Sequence, residues 1–250
     1  MNEDFVQMDG LGNTFVVYKG PKVIECAEVS RLCRIQSTDG LLVVTPIDSS
    51  TVEMKYWNAD GSTAEMCGNG LRCSARFAVD ESMVMPGKFT VRTDSGDLEV
   101  KCSADRGSLV EAQIGRVEIA KEVLVIEELE FHKASVGNPH AITFVDSVQK
   151  APVKSLGPRV ENNAAFPDKT NVEFVEIVDQ HSLKLRVWER GVGETQACGT
   201  GMVAAAAVAS DKLKIEYPVK VSVMGGEAKI WVDDKRYMVM SGPAKYLPLL

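Results

Sequence analysis

The chain repeats itself. Sliding its 250 residues by 131 positions lays Trp57 on Trp188, Cys67 on Cys198, Gly68 on Gly199, Gly70 on Gly201, Ala75 on Ala206 and Ala78 on Ala209. In both copies a strand-like run ends at the tryptophan, and a C-G-x-G turn then opens an apolar stretch. Gly12-Asn13 falls on Gly137-Asn138 at an offset of 125, and TDSGDLEV falls on VMGGEAKI at 130. Three blocks in one order indicate two similar half-chains. Two domains are therefore expected, residues 1–117 and 118–237, with 238–250 exceeding what the second copy needs and returning to the first.

Short alternating segments predominate, such as 51–58, 98–102, 172–177 and 183–189, and the D-S-G-D run at 94–97 reads as a hairpin turn. Helical patterns are confined to about 24–35, 70–81 and 201–212. Strands with few helices predict an α+β fold rather than a doubly wound parallel sheet. Lys and Arg number 28 against 35 Asp and Glu, a net charge of −7 that argues against a nucleic-acid partner. The N-terminus has no signal-peptide pattern, and the uncharged run 197–210 is short of the ~20 residues a membrane helix needs. A soluble, cytoplasmic protein is the expectation. The six cysteines include no C-x-x-C pair and there are only three histidines, so no metal site is expected. In a reducing compartment, buried thiols or a catalytic thiolate remain.

Two like domains place like features where ligand clefts tend to form. Here the features are Cys67-Gly-Asn-Gly70 and Cys198-Gly-Thr-Gly201, each just before a helical stretch. A helix N-terminus favours an anion, so a thiolate should be stabilised there, and cysteines so placed can titrate below the usual ~8.5. The glycines let backbone N–H groups approach a carboxylate. Two thiols flanking one carbon, one ionised and one not, would remove a proton from one face and return one to the other, inverting the centre.

The blocks MDGLGNTFVV, WNADGSTAEMCGNGLRC, VGNPHAITFVD, LGPRVENNAAFPDKTNVEFVEI and WERGVGETQACGTG together resemble diaminopimelate epimerase over nearly the whole chain. The resemblance implies two pseudo-symmetric domains, each a mixed, mostly antiparallel sheet or barrel around a central helix. It also implies interconversion of LL- and meso-diaminopimelate without pyridoxal phosphate or any other cofactor, in lysine and cell-wall precursor synthesis. Carried over by position, Cys67 and Cys198 match the acid–base cysteines, and Asn13, Asn58, Asn138 and Asn171 the substrate-binding asparagines. Gly68, Asn69, Gly199 and Thr200 match the carboxylate clamps. Glu189 and Arg190 match a pair near the substrate, with Arg190 suited to the carboxylate that does not react. His140 and Glu189 are placed beside the thiols, where they would tune them. A small amino-acid substrate is implied as the partner, and a homodimer is compatible with the resemblance.

The chain also departs from the family pattern. Asp9 and Thr14 stand where many members have His and Asp, the loop from Ile35 to Gly40 lacks both usual glycines, and Gly40 stands where some members have a substrate-contacting Gln, so no substrate contact is carried over to Gly40. Alternatives stay open on sequence alone. Proline and hydroxyproline racemases share the cysteine turns but take substrates with one carboxylate, and a histidine racemase of this scaffold is harder to set aside. The phenazine-synthesis isomerases lack the cysteine pair and are disfavoured. A thiol-redox module is the reading from another class, its disulfide requiring Cα atoms within ~7 Å.

Overall fold

The computed structural model describes residues 5–63 and 67–249, so the 64–66 part of the first cysteine block lies outside the described residues. The chain divides into two compact units, 1–113 with 241–250, and 114–240. The divisions fall a few residues from the 117/118 and 237/238 positions read from the repeat.

In the first unit β1 (Phe5–Asp9) and β2 (Thr14–Lys19) form a hairpin, closed by Leu11 and Gly12 at φ 66° and 79°. Helix α1 (Cys26–Gln36) then crosses to β3 (Gly40–Asp48), parallel to β2. It buries Val29, Leu32 and Cys33 at helical spacing and stops at Ser37 in the left-handed region. β4 (Thr51–Asn58) returns antiparallel on β3. Helix α2 (Gly68–Asp80) leads to β5 (Gly87–Thr93), parallel to β4, which is followed by the hairpin strand β6 (Gly96–Cys102) and by β7 (Val110–Gly115). The 94–97 turn lies at that hairpin.

The second unit repeats the plan. β8 (Glu118–Ile126), β9 (Leu129–Ser135) and β10 (Pro139–Phe144) run antiparallel in sequence. Helix α3 (Val153–Glu161) crosses to β11 (Asn171–Asp179), parallel to β10. β12 (Ser182–Glu189) returns on β11, with β13 (Gly193–Thr195) folded back on its end. Helix α4 (Gly199–Leu213) leads to β14 (Val219–Val223), parallel to β12, and β15 (Gly226–Val232) completes a hairpin. After β16 (Met238–Gly242), β17 (Lys245–Leu247) pairs with β1 in the first unit.

The repeat extends to register. β3 and β4 pair Leu41 with Trp57 and slip between Pro46 and Asp48; β11 and β12 pair Val172 with Trp188 and slip between Ile177 and Asp179, each 131 residues on. Mixed strands surround one buried helix in each unit, the α+β architecture. Every residue of α2 from Gly68 to Val79 is buried, as is α4 from Gly199 to Ala209. All-round burial explains why α4 is apolar on every face. Helix α2 buries two arginines instead, and Nε and Nη2 of Arg76 have no hydrogen-bond partner among the described residues. Arg72 donates to Gly68 O at 3.1 Å and Asn69 Oδ1 at 2.9 Å, and Arg76 donates to Ser103 O at 2.7 Å.

Two corrections to the sequence reading follow. Both central helices start two residues earlier than their apolar periodicity, at Gly68 and Gly199, because their first turns are glycine-rich and carry no pattern. Helix α3 was missed, since it is short and contains Gly157 and Pro158. Trp57 and Trp188 are half-buried and pack against the core of their own unit. Among the described residues no helix is long and apolar enough to cross a membrane.

Candidate active-site halves

Cys67 and Cys198 are the N-cap residues of α2 and α4, each extended in φ and ψ. The first intrahelical bonds, Leu71 N–H to Cys67 O at 2.8 Å and Met202 N–H to Cys198 O at 2.9 Å, lie beyond the first-turn N–H groups of residues 68–70 and 199–201. Those groups and the positive helix end form an anion receptor beside each sulfur.

In the first unit Cys67 is half-buried, with Sγ 3.5 Å from Asn13 Oδ1, which the β1–β2 turn presents. Asn69 is buried with its side-chain oxygen held by Arg72. Asn58, at the end of β4, accepts from Tyr56 Oη at 2.9 Å and donates to Ser62 Oγ at 3.0 Å. Thr14, in the place of the usual acid, donates its N–H and hydroxyl to Asp39 at 2.8 and 3.1 Å and so ties the hairpin to the loop before β3. Gly40 pairs with Asn58, and a Cβ there would stand 2.6 Å from both Trp57 O and the Tyr56 ring. That position has room for backbone alone. Asp9, where many members have His, has its carboxyl pushed up by burial, against the pull of the Gly12 N–H and of Lys245 and Arg72.

In the second unit the sulfur sits in a denser network. Cys198 Sγ accepts the Gly201 N–H at 3.4 Å and lies 3.5 Å from Thr200 Oγ1. Asn138 Nδ2 donates to that same Thr200 oxygen at 3.2 Å, and Asn138 Oδ1 faces His140 Nε2 at 3.1 Å. His140 Nδ1 is 2.7 Å from Glu173 Oε1. Glu189, the last residue of β12, accepts from Thr195 Oγ1 and from the Cys198 thiol. Burial pushes its carboxyl up, the two donors pull it down, and neighbouring Glu173 pushes it up again. Asn171 spends both ends of its amide on the framework, donating to Pro139 O and accepting the Arg190 N–H, each at 3.0 Å.

The expectation that a helix N-terminus lowers the thiol's titration is overturned at Cys198. Its pKa is raised well above the ordinary thiol value, first by burial and then by Glu189 and Glu173, against the Thr200 hydroxyl and the Gly201 N–H. Desolvation and two carboxylates outweigh half a helix charge. Cys198 therefore rests as the thiol. Cys33, Cys73 and Cys102 are buried, with burial pushing Cys102 up to about 11, while Cys26 is exposed. Among the described residues the cysteines form no disulfide.

Arg190 borders a cavity of about 570 Å³ within the second unit, with Lys133, Asn138, Phe166, Asp168 and Lys169 around it. The volume is ordinary for a small-molecule site. Its guanidinium is steadied by Asp168 O at 2.9 Å. Two residues that sequence reasoning missed shape this region. Glu173 stands behind His140. Glu161, at the end of α3, accepts from Trp188 Nε1 at 2.7 Å and Gly191 N–H at 2.9 Å, pinning the turn that carries Glu189 and Arg190. Glu173 had a faint signal, a charge set between Val172 and Phe174 in β11.

The family model described as diaminopimelate epimerase matches residues 5–120 and 133–247. A diaminopimelate epimerase of Methanococcus maripaludis is 36% identical over 265 residues, covering 96% of each chain. One from Stutzerimonas stutzeri is 38% identical over 271 residues, covering 96% of this chain and 95% of its own. Among solved structures, a phenazine biosynthesis protein from Bacillus anthracis superposes with a TM-score of 0.77 at 14% identity, over 98% of this chain and 97% of its own. A probable proline racemase from Agrobacterium radiobacter gives 0.72 at 14% identity, over 98% and 91%. At that identity the structures speak to the fold alone.

Proposed function

The chain belongs to the diaminopimelate epimerase family, and from that premise we propose that it interconverts LL- and meso-diaminopimelate by proton exchange between two thiols, without pyridoxal phosphate. The observation that carries the reading is a matched cysteine at the N-cap of each central helix, each with first-turn N–H groups beside it. In this reading the α-carboxylate lies against those N–H groups, which take up charge as the α-carbon loses its proton. One sulfur, as thiolate, accepts that proton from one face. The other, as thiol, donates its own to the opposite face, and the pair ends with roles exchanged. Cys67 and Cys198 are the acid–base pair; Asn13, Asn58, Asn138 and Asn171 line or brace the site; Gly68, Asn69, Gly199 and Thr200 supply backbone donors. His140 and Glu189 tune Cys198, and Arg190 holds the distal carboxylate. Its cationic cavity supports a two-ended substrate over a proline-like one.

The test is incubation of reduced protein with LL-diaminopimelate in D₂O with no cofactor added. Deuterium at the α-carbon with appearance of the meso form is expected. Lack of exchange, or faster exchange with a one-carboxylate amino acid in a panel, overturns the substrate assignment. A cytoplasmic location and a homodimer go with the same reading, and sedimentation of the purified chain checks the second.

A further inference from the structure

Behind Cys198 the second unit buries an acid and an imidazole where the first unit buries hydrocarbon. The repeat sets Glu173 on Leu42 at the offset of 131 and His140 on Phe15 at 125. All four are 0% exposed. Their places against the helices correspond: a Cβ on Gly70 would lie 3.2 Å from Leu42 Cδ2, and one on Gly201 would lie 2.6 Å from Glu173 Oε1. Phenylalanine and leucine thus suffice to fill this position in the fold. Taking a carboxylate and an imidazole out of water costs several kcal/mol, recovered only through good partners.

Those partners lead to the sulfur. Four contacts run in series from Glu173 to His140 at 2.7 Å, to Asn138 at 3.1 Å, to Thr200 at 3.2 Å and to Cys198 at 3.5 Å. With the Asn138 amide donating to Thr200, both ring nitrogens of His140 face oxygen acceptors. Glu173 Oε2 has no hydrogen-bond partner among the described residues. The groups facing Cys198 are Glu173 from β11, Glu189 from β12, and Thr200 with the Gly201 N–H from α4. His140 from β10 stands one contact behind.

We propose that Glu173 is the positioning residue of the Cys198 half: it fixes the His140 ring, which through Asn138 aims the Thr200 hydroxyl at the sulfur, and its carboxylate keeps the proton on Cys198 until substrate arrives. The two halves are thereby made unequal, since the first unit has Leu42 in this place. The inference rests on reading Cys198 as an acid–base group.

Glu173→Gln keeps the shape and removes the charge. Its kcat is expected to fall about tenfold, equivalent to ~1.4 kcal/mol of barrier, with KM within about twofold of wild type. Iodoacetamide labelling of each cysteine, followed by peptide mass spectrometry across pH, reads the thiolate without turnover. The midpoint for Cys198 should move down by about one pH unit, tenfold in thiolate at fixed pH, while that of Cys67 stays. The double variant Glu173→Leu with His140→Phe, which installs both of the first unit's residues, should fold with an undiminished Tm and show the same shift. An unmoved Cys198 midpoint in both variants overturns the proposal whatever happens to kcat, as does a joint shift of both cysteines with loss of Tm. A chain that shows the Cys198 shift but no epimerisation upholds this inference and removes the proposed function instead.

Discussion

Asn13 and Asn138 occupy equivalent places 125 residues apart, yet Asn13 stands 3.5 Å from the sulfur of Cys67 while Asn138 reaches Cys198 only through Thr200. Asn13→Ala should therefore act directly on Cys67. Epimerase turnover is expected to fall about tenfold or more, a loss of ~1–2 kcal/mol for one hydrogen bond, while the iodoacetamide profile of Cys198 stays as in wild type. Equal disturbance of both cysteine profiles would contradict the assignment.

Replacing Cys67 or Cys198, the proposed acid–base pair, should be far more costly than replacing Cys73. Cys67→Ser and Cys198→Ser should each lower turnover by about 10²–10⁴-fold, the range for a lost acid–base group. Cys73 is fully buried in α2, with desolvation pushing its thiol far up. Cys73→Ala should keep turnover near wild type with at most a small loss of Tm. Similar losses at all three positions would mean that folding, not chemistry, was measured.

Arg190 faces the cavity of the second unit and is steadied by Asp168 and Asn171. Arg190→Met should raise KM for diaminopimelate roughly tenfold to a hundredfold, the worth of a charge-assisted hydrogen bond. A one-carboxylate amino acid offered as a poor substrate should be handled no worse than by wild type. Steady-state kinetics with both substrates decides this.

Glu161 supports the same corner and gives a prediction in pH. Burial raises its carboxyl, but Trp188, Gly191 and Lys169 together hold it below the ordinary 4.5. A depressed carboxylate contributes stability that is full above the unfolded value and lost as pH falls through the folded one. Glu161→Gln should be less stable than wild type at pH 7 by about 1–2 kcal/mol, and the gap should close toward pH 3. Denaturant unfolding at the two pH values measures it, and a gap independent of pH would refute it.

Gly40 is glycine for steric reasons. Gly40→Ala would drive a methyl to 2.6 Å from the Trp57 carbonyl, so a loss of ~1–3 kcal/mol is expected in thermal unfolding. An unchanged Tm would show that β3 and β4 yield more easily than their register suggests.

Much of this was legible in the sequence because the repeat carries it. Matched tryptophans and cysteines locate β4 and β12, and the helices that follow them. Helix starts were not legible, since Gly68-Asn69-Gly70 and Gly199-Thr200-Gly201 have no apolar rhythm. The ionisation of Cys198 was not legible either. A motif shows the helix dipole but not the two carboxylates that the sheet brings up behind the sulfur. Glu161 and Glu173 matter through partners distant in sequence, and only the fold supplies those partners.

Arg72, buried in the helix that Cys67 caps, donates at 3.4 Å to the carbonyl of Pro243, in the segment 241–250. That segment leaves the ribosome only after the whole second unit has been made. The first unit must therefore wait, its central arginine still short of that acceptor, while its successor is synthesised and free to fold. Order of manufacture and order of completion are reversed in this chain, and the cysteine made first belongs to the unit finished last.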